Sequence, residues 1–138
     1  MELELKHMGG MQFVAKTPSG HDVIIDASPE VGGANTGPRA LELFLAGIGG
    51  CTGIDVALIL KKMKVNYKDL RVKLETERKE DHPKAFTKIN IKYYFKGKDL
   101  PMEKLERAVK LSQEKYCSAS ATVKGVAEVT YEIIVEEE

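Results

Sequence analysis

Neither sign of charge is in excess in this sequence: Lys plus Arg and Asp plus Glu each total 21, for a net charge of zero. A chain so balanced has no general pull on nucleic acid or on an acidic membrane surface. Its start, Met1-Glu2-Leu3-Glu4-Leu5-Lys6, lacks the basic stretch and apolar run of a signal peptide. The Gly32-Gly33 loop has neither of the glycine spacings that cradle phosphates. His7, His21 and His82 are scattered with no HxxxH spacing, and the two cysteines form no CxxC pair, so no metal site is expected. Internal repeats and low-complexity linkers are missing as well.

What is present suits one soluble domain over residues 1–138, with 43% apolar and 30% charged residues. Short alternating stretches, Glu2 to His7, Met11 to Lys16 and Asp22 to Asp26, are separated by turns at Gly9-Gly10 and Pro18-Ser19-Gly20 and predict strands. A polar, glycine-rich loop covers 27–37. Pro38 opens a helix to about Lys64, with Thr36 or Gly37 as its cap and a cationic end at Lys61-Lys62-Met63-Lys64. From Leu43 to Leu60 the only charge in that helix is Asp55. The four glycines within this run and the carboxylate favour a helix buried on all sides over a membrane span, and the protein is expected to be cytoplasmic.

A period of two returns at Leu70, Val72, Leu74 and Thr76, again at Ile89, Ile91, Tyr93 and Phe95, and finally at Val129, Tyr131, Ile133 and Val135. Between the last two, Asp99 and Pro101 start a second helix in which Leu105, Ala108, Val109 and Ser112 share a face. It is expected to run to about Tyr116, which puts Cys117 at its C-terminal end. The order β-β-β-α-β-β-α-β, with strands in antiparallel-looking pairs, reads as α+β. A helix this apolar needs more cover than so small a chain supplies, and a homodimer provides it.

Cys51 sits in Gly49-Gly50-Cys51-Thr52-Gly53, where each glycine lowers helix propensity by roughly 1 kcal/mol relative to alanine. Small neighbours let a substrate reach the sulfur; they equally serve tight helix packing, and two inert buried thiols are the plain alternative. At a helix C-terminus the dipole opposes a thiolate, so Cys117 is expected to be the weaker nucleophile. Asp55, one turn beyond Cys51, reads as a structural hydrogen-bonding residue. Arg39 and Glu42 share the mouth of the helix. They are candidates to stabilise a Cys51 thiolate or a departing oxygen, or else a surface ion pair worth less than about 1 kcal/mol.

The stretch from Gly37-Pro38-Arg39 through Gly49-Gly50-Cys51-Thr52-Gly53-Ile54-Asp55-Val56 resembles the first signature of the OsmC/Ohr family, and Glu114-Lys115-Tyr116-Cys117-Ser118 resembles the second. The resemblance implies an intertwined homodimer with active sites at the subunit interface. It also implies a thiol peroxidase that reduces organic hydroperoxides or hydrogen peroxide, in which Cys51 becomes a sulfenic acid and Cys117 closes a disulfide. A dithiol then reopens that disulfide; neither cofactor nor metal is implied. The chain departs from the Ohr pattern, since Met11 follows Gly9-Gly10 where an arginine is expected, and the glutamate is displaced to Glu42. It is thus closer to the OsmC-like branch than to Ohr itself. Arg39 and Glu42 are the replacements on offer, although Glu42 and Cys51 fall on opposite faces of an unbroken helix. The rival expectation is a non-enzymatic dimer of the same fold that binds a small apolar ligand or senses redox state.

Overall fold

The structure is a computed structural model covering all residues, 1–138, in two compact units, Met1–Ala46 and Gly47–Glu138. The first unit carries the antiparallel strands β1 (Glu4–Gly9), β2 (Gln12–Lys16) and β3 (Asp22–Ile25), in the order β1-β2-β3. Few of its side chains are buried. Its loop is instead organised by a carboxylate: Asp26 accepts from the amides of Ala27 at 2.7 Å, Ala34 at 3.3 Å and Thr36 at 3.0 Å, and from the Thr36 hydroxyl at 2.5 Å. These donors, the Thr36 hydroxyl foremost, hold the Asp26 carboxyl down at about 2. Gly33 is required beside it, because a Cβ there would lie 1.9 Å from the Ala27 carbonyl oxygen.

Helix α1 (Ala40–Lys62) begins in the first unit and continues into the second. Its start is capped from within: the Glu42 carboxylate accepts the Arg39 amide at 2.8 Å, the backward half of a capping box, in place of the Thr36 or Gly37 cap expected. One stripe of the helix is buried, Ile48, Thr52, Val56 and Leu60, each one turn after the last. Gly49 and Gly53 allow the close approach to the second sheet, since Cβ atoms there would meet Leu74 at 2.9 Å and Val72 at 3.5 Å. Enclosure on every side is not achieved within one chain: Ile54 is 70% exposed and Leu58 50%. By length and composition alone the helix is able to cross a membrane. Its buried stripe, however, is spent on the sheet.

That sheet has the order β4-β5-β6, formed by β4 (Asp69–Arg78), β5 (Phe86–Gly97) and β6 (Glu128–Glu137). Strands β4 and β5 are antiparallel, with Val72 opposite Tyr93. Strands β5 and β6 run parallel, with Tyr93 opposite Ile133, so the antiparallel-looking pairing expected holds for β4 with β5 and not for β6. Parallel neighbours need a long crossover, and everything between the strands serves as one. The crossover holds α2 (Met102–Leu111), a π-helical turn (Ser112–Tyr116) and α3 (Ser118–Val123). On the covered face Ile89, Ile91, Tyr93 and Phe95 of the central strand are fully buried, with Val56 and Leu60 of α1 and Leu105, Ala108 and Val109 of α2. The opposite face is charged and paired, as in Lys92–Glu75 at 3.0 Å and Arg71–Glu136 at 3.2 Å. Mixed strands and helices make the α+β class.

Candidate active site

Cys51 and Asp55 lie one turn apart on α1, so their side chains leave the same face. The crossover brings Cys117 to them. The two sulfurs and a carboxylate oxygen of Asp55 all lie within 4.8 Å of one another. Both thiols are free; Cys51 is half-buried and Cys117 is 2% exposed.

Cys117 lies at the end of the second helix, as expected, with two features that were not. The second helix does end at Tyr116 with Cys117 as its C-cap, but its last turn is not α-helical. It loosens at Ser112 into a π turn closed by the Cys117 amide donating to the Ser112 carbonyl at 2.7 Å. Cys117 then serves as the N-cap of α3, and its sulfur accepts the Ser120 amide at 3.4 Å. Cys117 thus stands at the C-terminal end of one helical segment, as expected, and at the N-terminal end of the next, whose Ser120 amide donates to its sulfur. Burial nonetheless pushes the Cys117 thiol above its usual range, and the adjacent Cys51 adds to the rise. The amide and hydroxyl of Ser120 pull the other way without cancelling it. The Ser120 hydroxyl is buried there with no well-formed hydrogen bond of its own.

Beneath the sulfurs runs a chain of buried hydroxyls. Ser112 donates to Asp55 Oδ2 at 3.1 Å, which uses its only hydrogen. Thr52 must then donate to Ser112 Oγ across 2.7 Å, and Tyr93 to Thr52 Oγ1 across 2.6 Å. The Gln113 side-chain amide donates both hydrogens, to Thr52 at 3.1 Å and to Tyr93 at 2.9 Å. Every hydroxyl donates once and the chain ends on the Asp55 carboxylate. Burial pushes the Tyr93 phenol up to about 12, so it remains a neutral donor near neutral pH. The chain ties α1, β5 and the π turn together and fixes the Asp55 carboxylate beside the sulfurs.

Of the residues singled out from the sequence, the structure gathers Cys51, Cys117 and Asp55. Arg39 and Glu42 belong to the first unit, and no ion pair joins them. Glu42 takes the Arg39 backbone amide, and the Arg39 guanidinium donates to the Gly37 carbonyl at 3.0 Å. Thr52, Tyr93, Ser112, Gln113 and Ser120 were missed. Ser112 and Tyr93 carried a signal, since each is polar on an otherwise apolar face; Gln113 and Ser120 carried none.

The chain matches the OsmC-like protein family over residues 32–132. It is 35% identical over 136 residues to Protein YhfA of Escherichia coli (strain K12), covering 97% of this chain and 98% of YhfA. It superposes on a hypothetical protein from Aquifex aeolicus VF5 with a TM-score of 0.85 and 38% identity, over 99% of this chain and 96% of the other. The organic hydroperoxide resistance protein OsmC of Legionella pneumophila shares the fold, with a TM-score of 0.69 at 20% identity over 98% of both chains. Matched by the family model over most of its length and 35% identical to a relative that it covers almost end to end, this chain is a member of the OsmC-like protein family.

Proposed function

We propose that the protein is a thiol peroxidase acting through Cys51 and Cys117. The observation that carries this reading is the pairing of two sequence-distant free thiols, one reachable and one buried, within 4.8 Å of each other. The organic hydroperoxide resistance protein of the same fold points to the same chemistry. The Cys51 thiolate attacks the distal peroxide oxygen; the O–O bond breaks, the alkoxide leaves as an alcohol on taking a proton, and Cys51 becomes a sulfenic acid. The Cys117 sulfur then attacks the Cys51 sulfur, water departs, and a dithiol reductant of the cell returns both thiols. A disulfide needs an S–S distance of about 2.05 Å, so one sulfur must move.

A cleft of about 390 Å³ opens at Asp55, lined also by Leu58, Ile59, Lys62, Met63, Leu111 and Tyr116. Its apolar walls suit the organic part of a hydroperoxide. Arg39 and Glu42 enter the proposal as auxiliary groups only. Glu42 is committed to the helix cap, so Arg39 is the one whose charge is available to an anion. The working unit is proposed to be a cytoplasmic homodimer built from the whole chain as one domain.

The test is consumption of an organic hydroperoxide by reduced protein with a dithiol, followed by peptide mapping. Wild type should turn over and yield a Cys51–Cys117 disulfide within one chain. Cys51→Ser should consume no peroxide, while Cys117→Ser should react once and leave a sulfenic acid at Cys51 that dimedone traps. Both thiols recovered free after stoichiometric peroxide would sink the reading.

A further inference from the structure

The pair of thiols is not alone: Asp55 completes a triangle with them, and that carboxylate has no part in the peroxide chemistry above. From this geometry we infer that the reduced Cys51–Asp55–Cys117 cluster is a binding site for a divalent cation of the zinc class.

Two thiolates and one carboxylate are a donor set that suits zinc, whose sites take sulfur at about 2.3 Å and carboxylate oxygen at about 2.0–2.2 Å. Around a tetrahedral ion the donor atoms stand roughly 3.5–3.8 Å apart. The three donors here already lie within 4.8 Å of one another, so closure onto an ion needs a contraction of no more than about 1.3 Å. Cys51 and Asp55 supply the one-turn spacing by which helices commonly present two ligands, and Cys117 comes from the facing crossover. No local motif announces the site because its third ligand arrives through the fold, which is why sequence spacing alone argued against a metal.

The supporting shell is in place as well. Ser112 donates to Asp55 Oδ2 and is itself held by the buried chain through Thr52 and Tyr93, which fixes the carboxylate in advance. The Ser120 amide already donates to the Cys117 sulfur and is positioned to stabilise it as a metal-bound thiolate. With Cys51 and Asp55 half-buried and Cys117 buried, the fourth position opens outward to water or an added ligand. Each thiol that binds gives its proton to solvent, so the cation displaces up to two protons. Metal and disulfide use the same sulfurs and exclude each other.

This inference stands apart from the peroxidase reading, since either holds without the other. It is tested on reduced, chelator-treated full-length protein at neutral pH by titration with Co²⁺ and then Zn²⁺. Expected are a sulfur-to-cobalt charge-transfer absorption that saturates at one ion per chain, its loss on adding one equivalent of Zn²⁺, and release of protons on binding. Asp55→Asn, folded by circular dichroism, should weaken Zn²⁺ at least tenfold. Alkylating Cys51 in wild type should abolish the absorption and needs no refolding of a variant. No charge-transfer band in reduced wild type, a band that survives Cys51 alkylation, or Asp55→Asn affinity equal to wild type would each overturn the proposal.

Discussion

At the scale of single residues, the two thiols differ first by burial. Cys117 is raised by burial and by its neighbour, while Cys51 is reachable. Alkylation of the reduced native protein near neutral pH is therefore expected to label Cys51 first, with Cys117 lagging by tenfold or more. The lag should shrink as pH rises above the ordinary thiol range, because Cys117 ionises later than an unperturbed cysteine. Peptide mass spectrometry of timed samples checks the order; faster labelling of Cys117 would reverse the roles assigned here. Asp26 offers a second residue-level expectation. Its folded value of about 2 lies below its ordinary 3.8, so the folded state prefers the carboxylate. The resulting stabilisation is complete above about pH 4 and is lost as pH falls through about 2. Urea midpoints of wild type should exceed those of Asp26→Asn at neutral pH and converge with them toward pH 2; a constant gap would contradict the assignment.

At the scale of elements, what the sequence made legible was the pattern that one chain segment carries by itself. The alternation of Ile89, Ile91, Tyr93 and Phe95 located β5 and its buried face, and the run around Cys51 located α1. What escaped it depends on meetings between segments. The parallel pairing of β5 with β6 follows from where the crossover returns, and alternation is the same in parallel and antiparallel strands. The helical period continues through Ser112 to Tyr116, so the π turn and the switch to α3 at Cys117 leave no trace in it. The hydroxyl chain is likewise invisible until α1, β5 and the crossover are packed. Its worth is measurable with Thr52→Val, which keeps the shape and removes the central link. Tyr93 and Gln113 lose an acceptor and Ser112 a donor, all of them buried, for an expected cost of about 1–3 kcal/mol. Denaturant unfolding reads that loss directly. An unchanged midpoint would mean that the chain contributes no net stability.

At the scale of the whole molecule, the unresolved demand is the exposed side of α1. Gly47 and Gly50 would meet nothing within 4 Å if given a Cβ, and Ile54 and Leu58 stand in the open. Burying an Ile or Leu side chain is worth about 1.5–3 kcal/mol, so a surface of this kind is costly to leave in water. A second copy of the helix is the economical cover, because the small residues at 47 and 50 let one backbone approach another closely. The protein is accordingly expected to sediment as a dimer from micromolar to nanomolar concentration without detergent, with a melting temperature that falls on dilution if any monomer forms. Ile54→Glu places a charge in that interface while leaving the buried stripe of Ile48, Thr52, Val56 and Leu60 untouched. It should shift the protein to monomer or lower its melting temperature in a concentration-dependent way. A wild-type chain that is monomeric, fully folded and indifferent to Ile54→Glu would show that the exposed face needs no partner of its own kind.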